Sequence, residues 1–444
     1  MNSYVSEQLG EKIVEVNEVS AAAREAARRS ILDIVSAAVA SQTSPGTVAA
    51  RNGALVAWGN GEIPIWFTSK HSTQLGATFA NSAASSILDL DDGHRAAAGH
   101  PGASIVPAVL AAVHANPELA TRALDAIAIG YEVGVRIAAS RDLRKLDTVD
   151  SGRWCGQAAA AAIGWINGLS PRVIGEAIAA AGTIAPMIAT ANFTQVGNHV
   201  KEAIPHATIN GLVSLHLAEA GFVAPLDILD DPRYFNAQAL LEGWGVSWYI
   251  ETSYFKPYSC CRYLHAPIDG LLKIMADNEM ASRDILKIRV ETFGRAMSLP
   301  NQVAPNSLQH AQYSVPFCLG VAAMRGAGPL LPMTDTNLLK DPEIIGVSSL
   351  VELVFDAELD GYFSDAVPSR ITVFGRDRSF TETVMAPLGE PTNPMGWAAL
   401  FDKFHHLASG QLAASHEDSL REALENMREG DLLPLLAELA RPLD

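Results

Sequence analysis

The sequence predicts a mainly α-helical fold with an inserted α+β lid, and three observations carry that prediction. Alanine-rich apolar stretches dominate the first half of the chain, and alanine both favours helix and lets helices approach closely. Apolar–polar alternation with period two appears only beyond residue 250. From Trp397 onward the pattern is helical again. The 444 residues therefore divide into an all-helical domain over 1–253, an α+β lid over 254–389, and a C-terminal part of the helical domain over 390–444.

Ser20 to Ala40 reads as a helix, with Ile31, Ile34 and Val35 set among polar neighbours. Further helices are predicted near 74–90, 103–115, 120–139, 155–167, 171–190 and 204–220, the last with a soft point at Asn210-Gly211. In the lid, His265 to Ala276 reads as a helix, and Ile285 to Phe293 alternates like a half-buried strand. Residues 314–324 and 340–347 read as helical or irregular. Arg370–Phe374 and Phe380–Val384 form a hairpin across Gly375-Arg376-Asp377-Arg378, and Gly389 to Pro394 is the return linker.

A hydrophobic content of 48% supports a sizeable core. The net charge of −17 argues against a nucleic-acid or anionic-membrane binder, which needs a basic surface. It leaves room for an anionic small substrate in a local basic pocket. Residues 1–17 are polar and acidic, unlike a targeting peptide, and no apolar run reaches the length of a membrane span. The four cysteines, Cys155, Cys260, Cys261 and Cys318, suggest no disulfide framework, so a reduced, cytoplasmic protein is expected.

The richest chemistry lies in Leu88-Asp89-Leu90-Asp91-Asp92-Gly93-His94-Arg95, followed by Gly99-His100-Pro101-Gly102. Three carboxylates, two imidazoles and a guanidinium fall within twelve residues, a cluster too costly to bury without partners unless it lines a polar site. As a cation loop the stretch fits poorly: its glycine comes one place early for an EF-hand, and the twelfth position from Asp89 is His100 rather than Glu. No metal is expected there. Of the three aspartates, Asp91 is the one expected to face away as a helix-end residue. Cys260, Cys261 and His265 lack a fourth ligand for zinc, and His265 has a structural hydrogen bond as its alternative role. Arg153 has the fork to clamp a carboxylate and equally to pair with Asp150 or Asp147, and Arg95 carries the same ambiguity. Lys201 is either a site lysine or a solvated helix-start residue paired with Glu202, while Lys256 sits among residues that look buried.

Three more segments join that loop: Val200-Lys201-Glu202-Ala203-Ile204-Pro205-His206-Ala207, Tyr254 to His265 through Lys256 and Arg262, and Ala311-Gln312-Tyr313-Ser314-Val315-Pro316-Phe317. Together and in this order they resemble the MmgE/PrpD family, which includes 2-methylcitrate dehydratases, cis-aconitate decarboxylases and iminodisuccinate epimerase. The resemblance covers almost the whole chain. It implies a two-domain fold with the active site between helical domain and lid, usually in a homodimer, with no cofactor and a small polycarboxylate substrate. Carried over, it makes Asp89, His100, Lys201 and Lys256 the catalytic set, with Arg262, Arg153, His94, Arg95 and His265 as substrate-binding candidates. Two departures stand out. Asp150 or Ser151 occupies the place of a family histidine, and Phe317 that of the lid's functional tyrosine. Gly93 also replaces a threonine.

Removing a proton beside a carboxylate creates a dianionic enolate-like species that needs cations aimed at the developing charge. Lys201, Lys256, His100 and Arg262 are placed to supply them, and a lysine among cations has a lowered pKa suited to a base. Dehydration requires in addition an acid for the departing hydroxyl, which the missing histidine and tyrosine would have served. That loss favours an epimerase of an amino- or imino-linked dicarboxylate such as iminodisuccinate. The alternative is a 2-methylcitrate dehydratase-type hydro-lyase or a cis-aconitate decarboxylase-like lyase. A catalytically dead binding or scaffold protein is the reading from another class, and the retained lysines, aspartate and histidine argue against it.

Overall fold

The computed structural model describes residues 3–188 and 194–443. Helices α1 (Val5–Glu15), α2 (Ala21–Ala40), α3 (Pro45–Trp58), α4 (Gln74–Ser86), α5 (Gly102–Ala115), α6 (Ala123–Ala139), α7 (Cys155–Ile166), α8 (Pro171–Thr183) and α9 (Ile204–Glu219) build the first core. Ser20, Thr73 and Ser170 start α2, α4 and α8 by accepting a hydrogen bond from the third helical N–H. The alanine-rich α7 is buried along its whole length and packs against α6, α8 and α9, which small side chains permit. Helix α8 stops at Thr183, where Pro186 ahead of it disfavours further helix; the predicted end of this helix, from residue 189, lies outside the described residues. Two helices carry little signal in the sequence. Helix α3 opens on Pro45-Gly46 and contains Gly53, and α1 lies in the polar N-terminal stretch, its buried face reduced to Val5, Leu9 and Ile13 among few others.

The chain leaves this core at Tyr254 and re-enters it after Gly389. Between them lies a four-stranded sheet of β3 (Lys287–Thr292), β4 (Val351–Phe355), β5 (Ser369–Phe374) and β6 (Ser379–Val384), in the order β4-β3-β5-β6. The short β1 (Ile63–Pro64) and β2 (His71–Ser72) pair separately in the helical domain. Strand β3 runs parallel to β4 and antiparallel to β5, and β5–β6 is the hairpin closed by Gly375 to Arg378. Helix His265–Asp277 covers β5 and β6, and Ile268, Leu271, Ile288, Val290, Ile371 and Val373 share a second core. Strand β4 is an edge strand with no fully buried residue, so its sequence lacks the alternation that marks β3 and β5.

Helix Trp397–Ala408 packs on α2, and Leu400 and Phe404 join the first core. Lys403 Nζ, buried, lies 2.6 Å from Asp33 Oδ1 and donates to the Leu90 carbonyl at 2.9 Å, so the returning chain grips the loop after α4. Among the described residues no helix is long and apolar enough to cross a membrane.

The two crossings are stitched together. Tyr254 and Gly93 exchange both backbone hydrogen bonds, at 2.8 and 3.0 Å, and the Phe255 N–H donates to Gly389 O at 3.1 Å. Gly389 has φ +95°, and a Cβ there would lie 1.9 Å from Phe255 O. Gly389→Ala is therefore expected to destabilise the protein by about 1–3 kcal/mol, read from the shift in denaturant midpoint. An unchanged midpoint would mean the crossing tolerates a side chain.

Candidate active site

Helix α4 ends before the predicted residue 90 because Asp89 takes a left-handed φ of 53°, which an aspartate adopts at a cost. Ile87, Leu88 and Leu90 stay buried beside α2, and the turn sends the Asp89 carboxylate inward. Asp92, rather than Asp91, is the structural aspartate. Its Oδ1 accepts from the Gly102 N–H at the start of α5 (3.0 Å), and its Oδ2 accepts from Ser30 Oγ (3.0 Å) and from the Tyr131 hydroxyl. Burial, reinforced by Asp33, pushes Asp92 up to about 7. Asp91, expected to face away, instead lies 3.4 Å from His100 Nδ1, which donates to Asp92 O at 3.0 Å.

Asp89 gathers the cations. Lys256 Nζ is 3.1 Å from Asp89 Oδ1, Lys201 Nζ 3.2 Å, and His100 Nε2 3.7 Å. Burial alone would raise the Asp89 pKa, but Lys201, Lys256 and His100 outweigh it and hold the carboxyl well below the usual range. Lys201 arrives on three successive left-handed residues, Lys201, Glu202 and Ala203, with φ of 44°, 55° and 59°. Such strain outside glycine is kept only where the surroundings fix it. The lysine is not paired with Glu202. Nor is Lys256 a base of lowered pKa: burial pushes it down, yet Asp89 raises it above its ordinary value, so it stays an ammonium. Donor atoms of Asp89, Asp91 and His100 lie within 4.8 Å of one another, a grouping able to ligate a cation. Two ammoniums already neutralise Asp89 at contact distance, so a divalent ion there would meet strong repulsion.

In front of this cluster opens a cavity of about 260 Å³ between helical domain and lid, lined among others by Arg95, His100, Glu202, Tyr254, Arg295 and Tyr313. Lys201 Nζ donates to Tyr313 Oη and to Gln312 Oε1, both at 3.3 Å, so the ammonium acts on the cavity through the phenol. Phe317 is buried in the lid core, while Tyr313, four residues earlier and ahead of the helix Val315–Arg325, borders the cavity, and its hydroxyl accepts from Lys201. A phenol absent at position 317 is thus present nearby.

Glu202, read from sequence only as a partner for Lys201, is the residue that reading missed. Its Oε2 accepts from the Ser151 N–H (3.0 Å) and Ser151 Oγ (2.7 Å). Burial raises its pKa, with His100 and Ser151 opposing, so it holds a proton more readily than an ordinary carboxylate. For His100, burial and Lys256 pull the pKa down, but Asp91 and Glu202 carry it above the ordinary histidine value. Gly93 has its own compensation. A Cβ there would lie 2.2 Å from the Tyr254 hydroxyl, so the tyrosine ring fills the space of the absent threonine.

Of the predicted substrate-binding residues, Arg95 and Arg262 border the cavity. Arg95 lines it 4.3 Å from the Tyr254 ring centre, its Nη2 is 3.2 Å from Glu390 Oε1, and its Nε has no hydrogen-bond partner among the described residues. Arg262 reaches the cavity, but its donors are spent on Glu390, His265 Nδ1, Leu388 O and Pro387 O, which tie the lid entry to the return linker. His265, donating to Cys260 O and held neutral by burial and then Arg262, is structural. His94 faces Tyr249 O and Thr252 Oγ1 at 3.0 and 2.9 Å, away from the cavity, and burial pushes it down to about 4. Arg153 pairs with Asp150 (3.1 Å) and Thr148 and points to a different cavity. Asp150 also accepts from the Ile188 N–H and borders the cavity, and Ser151 donates to Glu202. Arg295, which the sequence did not single out, donates to the Leu143, Leu146 and Asp147 carbonyls and joins lid to helical domain.

The sequence has known relatives. Residues 7–246 match the MmgE/PrpD N-terminal domain and residues 258–429 the MmgE/PrpD C-terminal domain. The chain belongs to the MmgE/PrpD family. It is 26% identical over 407 residues to a cis-aconitate decarboxylase of Aspergillus terreus (strain NIH 2624 / FGSC A1156), covering 83% of this chain and 82% of that protein. A second Aspergillus terreus cis-aconitate decarboxylase is 25% identical over the same length.

The position of His94 has a measurable consequence. An unfolded histidine takes up its proton near pH 6.5, whereas folded His94 does so only near 4, so stability falls as pH drops through that window. His94→Gln is expected to lessen this loss between pH 6.5 and 4 in urea titrations, with turnover changed less than about threefold, since no catalytic group touches it. A tenfold loss of turnover would return His94 to the site.

Proposed function

We propose that the protein is a cofactor-independent lyase that breaks a bond beside a carboxylate in a small di- or tricarboxylate, of the cis-aconitate decarboxylase or 2-methylcitrate dehydratase type. One observation carries this reading: two cations, Arg95 and His100, and two proton-transfer groups, Glu202 and Tyr313, line one cavity. The likeness to a cis-aconitate decarboxylase supports it.

Loss of carbon dioxide or of an α-proton leaves an electron pair that spreads into the neighbouring carboxylate. Arg95 and His100 stabilise the resulting charge. Tyr313 gives a proton to the carbanion, and the Lys201 ammonium at 3.3 Å stabilises the phenolate left behind. In a dehydration, ionised Glu202 takes the α-proton and His100 protonates the departing hydroxyl. Asp89 holds Lys201 and Lys256 in place and is a positioning residue.

The epimerase favoured by the sequence shares the first step. Its preference rested on the absence of an acid, and Tyr313 supplies one from another position, with His100 beside the same cavity. Epimerisation of an iminodisuccinate-like dicarboxylate remains the second reading on one observation. Two separate proton-transfer groups border the cavity, as removal and return of a proton on opposite faces requires.

Proton NMR in deuterium oxide with cis-aconitate, 2-methylcitrate and iminodisuccinate in turn separates the readings. Decarboxylation or alkene formation is expected with one of the first two. Stereoisomer exchange of iminodisuccinate without bond cleavage would make the protein an epimerase, and no turnover of any would contradict both. Tyr313→Phe is expected to lower kcat by about 100-fold or more. Adding Phe317→Tyr to that variant restores nothing, because the new hydroxyl enters the lid core; recovery of activity would move the acid to position 317.

A further inference from the structure

A second cavity, of about 470 Å³, lies on the other side of the 140–153 segment from the catalytic one. Its wall carries four cations, Arg141, Lys145, Arg153 and Arg233, and a single acidic residue, Asp142. Three of the cations have carboxylate partners: Lys145 lies 3.0 Å from Asp142, Arg153 3.1 Å from Asp150, and Arg233 Nε 2.9 Å from Asp231. Arg141 has none at salt-bridge distance among the described residues. Its buried Nη2 makes no hydrogen bond among the described residues, and its Nε reaches only the Ala138 carbonyl, at 3.5 Å. Burial and the like charge of Arg153 push its pKa down to about 10, so the guanidinium stands in a place that disfavours its own charge. A guanidinium left this way beside a second one is the donor arrangement that an oxyanion completes, because parallel N–H groups match its oxygens.

We propose that this cavity is a second binding site, separate from the catalytic one, for a small multivalent oxyanion held between Arg141 and Arg153, with Lys145 and Arg233 at its rim. The shared ligand chemistry is that of phosphate or of a further polycarboxylate. Occupancy is coupled to catalysis through Arg153. The same guanidinium holds Thr148 and Asp150, both of which line the catalytic cavity, so an anion drawing on Arg153 shifts that wall and changes KM. The site stands on this geometry whichever reaction the catalytic cavity performs.

Isothermal calorimetry on the full-length protein tests it, with inorganic phosphate and citrate titrated separately into the wild type, Arg141→Gln, Arg233→Gln and Arg95→Gln. At least one of the two anions is expected to bind the wild type. Its affinity is expected to fall at least about tenfold in Arg141→Gln, since charged hydrogen bonds are lost. In Arg233→Gln, an exposed rim position that the fold does not depend on, it falls about threefold. It is unchanged in Arg95→Gln, which alters only the catalytic cavity. Which anion shows the Arg141-dependent binding tells phosphate from polycarboxylate. Binding abolished by Arg95→Gln and kept in Arg141→Gln would place the anion in the catalytic cavity and overturn the proposal, as would no binding of either anion to the wild type. Because the readout is binding, inactivity toward every polycarboxylate tried would overturn the lyase reading and leave this result standing.

Discussion

The Asp89 carboxylate stands between two buried ammoniums that come from distant parts of the chain. Lys201 belongs to the turn before α9, and Lys256 to the entry of the lid. A buried charge without a partner costs several kcal/mol, so each of the three groups makes the burial of the others possible. The Lys256 ammonium also donates to the Asp89 carbonyl at 3.0 Å, which fixes the backbone that carries the carboxylate. Helical domain and lid are thereby held in one register at the point where the candidate catalytic cavity opens. The left-handed conformations of Asp89 and of Lys201 to Ala203 are the strain this arrangement sustains.

Around that centre, groups absent from their expected positions are supplied from elsewhere. Tyr313 brings a phenol that Phe317 lacks, Glu202 brings an acid beside Ser151, and Tyr254 fills the volume opened by Gly93. Each substitution is local and uses space rather than sequence position. A cavity retains its chemistry when an acid reaches the same point from a neighbouring turn, and this is why the loss of a motif residue is weak evidence for the loss of a step.

Much of the architecture was legible in the sequence. Alternation at Lys287–Thr292 and along β5 is strong because one face of each strand is buried and the other is not, and the alanine-rich helices have no competing pattern. Helices α1 and α3 and strand β4 were hidden because their signal is diluted by polar residues, by glycine and proline, or by edge exposure. The site was half legible. Asp89, His100, Lys201 and Lys256 do come together, since charge-bearing residues in apolar surroundings announce a partner. His94, His265, Arg153 and Arg262 are the same kinds of residue but point to partners outside the Asp89 cluster. That difference depends on where each side chain points, and sequence spacing does not record it. Glu202 was masked by its neighbour Lys201, because only the left-handed turn sends the two side chains to different partners.

The most direct test of the central ion cluster is a pH titration of the Lys256 Nζ resonance by NMR, with 15N-labelled lysine, in the wild type and in Asp89→Asn. The account predicts that Lys256 gives up its proton at a higher pH than free lysine in the wild type, where Asp89 overrides burial. In Asp89→Asn, where burial acts without that carboxylate, it should do so at a lower pH than free lysine. The same titration in both proteins would contradict the role given to Asp89.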